Sequence, residues 1–185
     1  AAPASTRVPG VRRTLVLALM ARIPIGALSL LIILAVRETG RSYALAGVAS
    51  GCCALGMAIS APLMGRLMDR LGQTTILLAS AAATTVTFAG FAALPATAPD
   101  WACVAVAGLC GLALPPVSAS VRVIWRSMLD SVTFNRVVTL DASLQEISFM
   151  IGPLVLVTLA TQIGAAEALA VTGVVWAAIT IAFGL

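Results

Sequence analysis

Six long apolar runs, separated by short polar segments, make up most of the chain. A helix that crosses the hydrocarbon core of a bilayer needs about 20 mainly apolar residues, because each residue rises about 1.5 Å. The runs therefore predict six transmembrane helices, at Thr14–Val36, Tyr43–Met64, Thr74–Leu94, Trp101–Val121, Leu140–Gln162 and Ala165–Leu185. Residues 1–13 then form a cytoplasmic tail, and residues 14–185 form one six-helix transmembrane domain.

The composition is typical of an all-α membrane protein. Hydrophobic residues make up 61% of the chain and charged residues only 10%, whereas a soluble domain has about 25% charged residues. The mean hydropathy is +1.08. A chain with so few charges cannot cover a water-facing surface, so we expect the lipid bilayer to surround it. No nucleic-acid partner is expected.

The basic residues, which are all arginine, predict the orientation of the chain. With the N-terminus inside, the outer loops carry only Arg37 and Arg41. The inner segments carry Arg7, Arg12, Arg13, Arg66, Arg70, Arg122, Arg126 and Arg136. Because basic residues concentrate in cytoplasmic segments, we expect a multi-pass protein of the cell inner membrane with both termini in the cytoplasm.

A short polar segment joins the second and third predicted helices. It runs from Gly65 to Gln73, and its length predicts a tight turn. Gly65 and Gly72 permit the positive φ angles that helix ends use. Asp69 is expected near the start of the third helix, where the helix dipole favours a carboxylate. Composition alone also allows an ordinary basic inner loop.

This segment resembles the signature loop between helices two and three of the major facilitator superfamily. The pattern G-x-L-x-D-R-x-G is matched at Gly65, Leu67, Asp69, Arg70 and Gly72. Gln73 and Thr74 stand where the family usually has basic residues. The resemblance implies that the loop is a conformational switch, which helps to lock two six-helix halves in one state of the transport cycle.

Two further segments resemble a bacterial drug and solute transporter branch of this family. Residues 114–122, with Pro115, Pro116 and Arg122, resemble the end of its fourth helix. The family's usual arginine within that helix is missing, because Arg122 lies at the predicted cytoplasmic end.

Two segments of the chain resemble the fifth helix of this branch. They are residues 141–146, which include Gln145, and the Gly152-Pro153 pair that follows. The pair is similar to part of a motif of drug exporters, although Ser148 and Leu156-Val157 replace further glycines of that motif. This partial match implies efflux by proton exchange.

The resemblance implies a fold and a function for the whole chain. The fold is a three-plus-three inverted-repeat bundle, the N-terminal half of a twelve-helix transporter. The expected function is secondary active transport of a small solute by alternating access, without a cofactor or metal. The partner would be a missing C-terminal six-helix half or a second copy. Two alternatives stay open: a truncated or half-size protein that must dimerise, and a non-transporting membrane scaffold.

The residues give no support for an enzyme. A serine protease within the membrane would need a basic partner such as histidine, and the chain has none. The HExxH pattern of metalloproteases is also missing. The four cysteines lie in apolar runs without metal-ligand spacing, so we expect them to be packing residues.

Three charges inside predicted helices are candidates for coupling. Arg22 and Glu146 lie at similar distances from the cytoplasmic side, and the family places helices one and five side by side. We therefore hypothesise an Arg22–Glu146 ion pair, since a buried charge needs a partner. Asp141 shares a helical stripe with Gln145, Ser148 and Gly152; it is either interfacial or part of a polar path.

A glycine step predicts a packing surface on the second helix. Gly47 and Gly51 are four residues apart, so their missing side chains fall on one face. This spacing is typical of close contact between membrane helices.

Overall fold

The computed structural model describes residues 11–116, 121, 125–126 and 130–184. These residues form an all-helical bundle of six helices. The helices are α1 Val11–Glu38, α2 Tyr43–Leu71, α3 Gln73–Ala92, α4 Asp100–Leu112, α5 Ser131–Ile163 and α6 Ala165–Gly184. Five of them, all except α4, are long and apolar enough to cross a membrane.

The fourth helix is shorter than the predicted span Trp101–Val121. It has 13 residues and ends at Leu112, followed by Ala113 and a non-helical segment through Pro116. Pro115 and Pro116 account for this end, because proline has no N–H to donate and disfavours helical geometry in the residue before it. Residues 117–120 of the predicted span, and Arg122, lie outside the described residues.

The second helix continues through most of the predicted 65–73 turn. It ends at Leu71, and only Gly72, with a φ of 87°, separates it from α3. Gly65 is helical, so of the two glycines only Gly72 uses a positive φ. The expected place of Asp69 near the start of α3 was therefore wrong: it lies in the last turn of α2. The helical hydrogen bonds continue from Gly65 to Leu71. The helix ends there because Gly72, the next residue, has a positive φ.

The fifth helix starts at Ser131, well before the predicted Leu140. The side chain of Asp130 caps it by accepting hydrogen bonds from the backbone N–H groups of Val132 and Thr133, at 3.2 and 3.3 Å. Such a cap stabilises a helix start in a polar segment. With 33 residues, α5 is about 50 Å long and exceeds the roughly 30 Å hydrocarbon core.

Three helix pairs have the most extensive contacts: α1 with α5, α2 with α4, and α3 with α6. The second pair is closest at Gly56 and Gly111, where an added Cβ would overlap the backbone of the opposite helix. In the third pair, the rings of Phe88 and Trp176 meet edge to face at 6.3 Å.

Gly47 and Gly51 do not serve this packing. Both are exposed, and an added Cβ at either would meet nothing within 4 Å. The predicted close contact at this step is therefore wrong for the described part of the bundle. The spacing of the glycines was informative about a face of α2, but the contact with α4 uses the face of Gly56.

Polar contacts join the loops at one end of the bundle, which we name the Glu38 end. Both carboxylate oxygens of Glu38 accept a hydrogen bond from the N–H of Ala165, at 2.8 Å, at the start of α6. The Arg41 guanidinium donates to the carbonyls of Ala96 and Ala98, at 3.1 and 2.6 Å, and lies 3.5 Å from the Asp100 carboxylate. These contacts connect the α1–α2 loop to the α3–α4 loop and to α6.

Candidate functional site

A buried ion pair joins α1 to α5. Nη2 of Arg22 donates to Oδ2 of Asp141 at 2.9 Å, and Nη1 of Arg22 donates to Oδ1. Arg22 is 1% exposed and Asp141 is 3% exposed. A guanidinium and a carboxylate that face each other in this way form two parallel hydrogen bonds, one to each carboxylate oxygen. The pair therefore places no net charge in the apolar contact between the two helices.

The two helices run parallel, which sets the level of each side chain. Glu38 lies near Thr161 at one end of the pair, where both line one cavity, and Phe149 lies against Gly26 further down. In this register the backbone of Arg22 is level with Gln145. Because helical side chains point back toward the N-terminus, the guanidinium reaches Asp141, about one turn lower on α5.

Close backbone contact makes this arrangement tight. An added Cβ at Gly152 would overlap the carbonyl oxygen of Ile23, and one at Gly26 would overlap the side chain of Phe149. Asp141, Ser148 and Gly152 are all buried on the face of α5 that the sequence identified as a polar stripe. The hydroxyl of Ser148 donates to the carbonyl of Leu144 in its own helix, at 3.0 Å. The stripe is therefore a packed contact with α1.

The hypothesised partner of Arg22 was wrong. Glu146 is exposed, and it forms no ion pair with any other residue for which side chains are described. At 100° per residue, Glu146 is about 140° away from Asp141 around α5. Glu146 lies at a depth similar to that of Arg22, but its side chain faces away from α1, so the two charges do not meet.

Glu146 stands among apolar side chains on the outer face of α5. Ile147, Met150 and Leu154 are exposed on the same helix, to 45%, 78% and 70%. A carboxylate at this depth is costly in lipid unless water or a partner solvates it. The face of α5 that carries Glu146 is therefore a candidate wall of a polar path.

A family model described as Major Facilitator Superfamily matches residues 14–185. The chain belongs to the major facilitator superfamily. This confirms the resemblance that the sequence motifs carried, and it places the chain in a family of membrane transporters rather than enzymes. No curated protein and no solved structure matches the chain.

The signature segment of this superfamily member lies at the end of the bundle opposite Glu38, which we name the Gly72 end. Arg66, Asp69, Arg70 and Gly72 are exposed and Leu67 is half-buried. The charged residues of this segment form no ion pair within the described portion of the chain. The charged side chains of the segment are exposed, and its role as a conformational switch stays a prediction.

The remaining motif residues of the superfamily are spread over α4 and α5. Pro115 is buried and Pro116 half-buried just after α4. Gln145 is half-buried, and Pro153 lies inside α5 next to the close contact at Gly152. The structure thus brings Gly152, Asp141 and Arg22 into one helix contact, and leaves the proline pair at a helix end.

Sequence reasoning missed the polar contacts at the Glu38 end. Glu38 was one of the acidic residues without an assigned role, and Arg41 was considered only for its charge. Gly164 followed by the apolar run from Ala165 signals a helix start, whose free N–H groups need an acceptor. That signal could have indicated a carboxylate nearby.

Proposed function

We propose that this chain forms one six-helix half of a secondary active transporter, which moves a small solute across the cytoplasmic membrane by alternating access. The observation that carries the proposal is the Arg22–Asp141 pair, a buried ion pair between two helices of a family of membrane transporters. Intramembrane charges are costly, so a charged pair that is kept inside the membrane indicates a functional role.

The pairing of helices supports a three-plus-three inverted repeat. If α1 is exchanged with α4, α2 with α5 and α3 with α6, the α1–α5 contact becomes the α4–α2 contact. The α3–α6 contact becomes itself. Such a repeat therefore interchanges the three most extensive contacts among themselves, although the sequences of the two repeats share no visible pattern.

In the proposed mechanism, the Arg22–Asp141 pair is a positioning element. Each residue neutralises the other, so α1 and α5 stay in contact in a low-dielectric environment and move together. If one partner were separated, an uncompensated charge would be left in an apolar contact. The pair therefore favours rigid movement of α1 with α5 over sliding between them.

Glu146 is the proposed coupling residue, with the proton as coupling ion. A charged carboxylate on the outer face of α5 needs water, whereas a protonated one tolerates an apolar surface. Gain or loss of a proton would thus change which surroundings this face of α5 prefers.

The proposed topology, with the Gly72 end in the cytoplasm, follows the arginine asymmetry.

Alternating access is tested by labelling. In the full chain with its four cysteines replaced by serine or alanine, Met150→Cys, an exposed position one turn from Glu146 on α5, is reacted with a membrane-impermeant maleimide from each side of sealed vesicles. We expect labelling from one side, with a rate that changes when a pH gradient is imposed. Val86→Cys, an exposed control on α3, should not respond. Equal, gradient-independent labelling of Met150→Cys would count against the proposal.

Transport itself is tested in proteoliposomes. Uptake and counterflow of a panel of radiolabelled small solutes, including lipophilic cations, organic anions and sugars, is compared with that of empty vesicles. At least one solute should exchange faster in the presence of the protein. A scaffold would instead bind to membranes and exchange none of them.

A further inference from the structure

A cavity of about 380 Å³ lies at the Gly72 end, beside the start of α5. Arg126, Ser131, Phe134 and Asn135 line it, and neither the transport mechanism nor the family motif uses any of them. Arg126, Ser131 and Asn135 are exposed, whereas Phe134 is half-buried against the core. The cavity is therefore open to the surroundings of the protein and has one apolar wall.

The polar groups of the cavity are those that recognise phosphate. The guanidinium carries a positive charge and a planar set of donors, and the Ser131 hydroxyl and the Asn135 amide add neutral donors. The guanidinium carbon of Arg126 lies 5.9 Å from the centre of the Phe134 ring, within the range of a cation–π contact. No ion pair with a described residue engages Arg126, so its charge is available to a ligand.

Asp130 is the acidic group next to this cavity, and its carboxylate is already engaged. It accepts hydrogen bonds from Val132 and Thr133 at the start of α5. The N-terminal N–H groups of the helix are therefore partly used, and the recognition of an anion rests on the side chains that line the cavity. Arg136, which is exposed one residue beyond Asn135, offsets the charge of Asp130.

The depth of the cavity points to a lipid rather than a free solute. Asn135 precedes the apolar run that begins at Leu140 by five residues, which is a rise of about 8 Å. The headgroup region of one leaflet is roughly 5 to 8 Å thick. Asn135 therefore lies level with the lipid headgroups, and the long side chain of Arg126 lines the same cavity.

We propose that this cavity binds the headgroup of an anionic phospholipid, with Arg126 as the main contact to the phosphate and Ser131 and Asn135 as further donors. A comparable site at the Glu38 end is disfavoured. The cavity there is lined by both Arg37 and Glu38, and the guanidinium of Arg37 is held by the carbonyl of Arg41 and lies 3.9 Å from the Tyr43 ring centre.

Lipid binding to the purified full chain in detergent tests the proposal. Phosphatidylglycerol and phosphatidylcholine with the same acyl chains are titrated separately, and the bound fraction is read by native mass spectrometry. We expect phosphatidylglycerol to bind more tightly to the wild-type protein. Arg126→Gln should weaken it about fivefold, since a basic residue near anionic lipid contributes on the order of this factor.

Matched variants separate this site from general charge effects. Arg66→Gln removes an exposed arginine at the same end that does not line the cavity, and it should change the affinity less than twofold. Arg126→Lys should retain part of the affinity. Asn135→Leu, which keeps every charge, should also weaken binding, and it serves if Arg126→Gln does not purify as a monodisperse protein.

Three results would overturn the proposal. The first is equal binding of phosphatidylglycerol and phosphatidylcholine, which would show that the protein does not select an anionic headgroup. The second is equal weakening by Arg66→Gln and Arg126→Gln, which describes general attraction. The third is displacement of phosphatidylglycerol by inorganic phosphate at similar concentration, which would assign the cavity to the free anion.

Discussion

Arg22 and Asp141, which are 119 residues apart in sequence, meet through two parallel hydrogen bonds in the contact between α1 and α5. Neither side chain is accessible from outside the bundle. The two opposite charges compensate each other inside the α1–α5 contact. The first prediction therefore concerns the removal of one or both partners.

Single replacement of either partner should destabilise the protein strongly. Arg22→Leu or Asp141→Leu removes this ion pair and leaves the other charge buried without the counter-charge it has here, which costs about 3–5 kcal/mol. The double variant removes both charges and should be more stable than either single variant. Thermal unfolding in detergent measures the order of the four proteins. A double variant that is less stable than both single variants would contradict mutual compensation of these two charges.

Glycine replacement should separate the close helix contact from an open face. Gly152→Ala forces a Cβ into the carbonyl oxygen of Ile23, so we expect a loss of about 1–3 kcal/mol. Gly47→Ala, in open space on α2, should be neutral or stabilising by about 0.5–1 kcal/mol, because alanine favours helix. Resistance to unfolding by detergent compares them. Equal destabilisation by both would show that Gly47 also meets a neighbour.

The charge of Glu146 should matter for transport and little for stability. Glu146→Gln keeps the size and removes the charge, so we expect a flattened dependence of uptake or efflux on pH, with unfolding temperature nearly unchanged. Glu167→Gln, an exposed replacement at the start of α6, is the control. If Glu146→Gln transported with the wild-type pH profile, Glu146 would have no coupling role.

The start of α5 should loosen in acid. Hydrogen bonds from Thr133 lower the pKa of Asp130 below its ordinary value of 3.8. A carboxyl group with a lowered pKa contributes stability above its unfolded pKa, and that contribution is lost as the pH falls through the folded pKa. Amide hydrogen exchange of Val132 and Thr133, corrected for the intrinsic rate, should therefore lose protection below about pH 3.8.

Asp130→Asn provides the control for this acid effect. Asparagine caps a helix without titrating, so the protection of the same two amides should not depend on pH over this range. A wild-type protein with equally constant protection would show that the Asp130 carboxylate does not hold the helix start.

The sequence predicted where the chain enters apolar surroundings better than where its helices end. The hydropathy pattern predicted both ends of α3 and the start of α6 to within two residues, because these helix ends coincide with the limits of the apolar runs. It failed at α2, which continues to Leu71, and at α5, which begins at Ser131. Those extensions are polar, and the factors that set their limits are the left-handed Gly72 and the Asp130 cap.

The contacts of the candidate site were harder to predict than its residues. Arg22, Asp141 and Gly152 were all candidates, and the stripe on α5 was correct as a shared face. The partner of Arg22 was not, because depth in the membrane does not tell which side of a helix a residue faces. The Gly47–Gly51 step failed for the same reason: spacing defines a face but not its neighbour.

The joint at Gly72 has a mechanical consequence. A single residue connects the 29 residues of α2 to the 20 residues of α3, so a change in the angle between these helices must be taken up by the backbone of Gly72 and its direct neighbours. If the signature segment acts as predicted, its movement would reach α3 directly through Gly72, and α3 contacts α6 through the rings of Phe88 and Trp176.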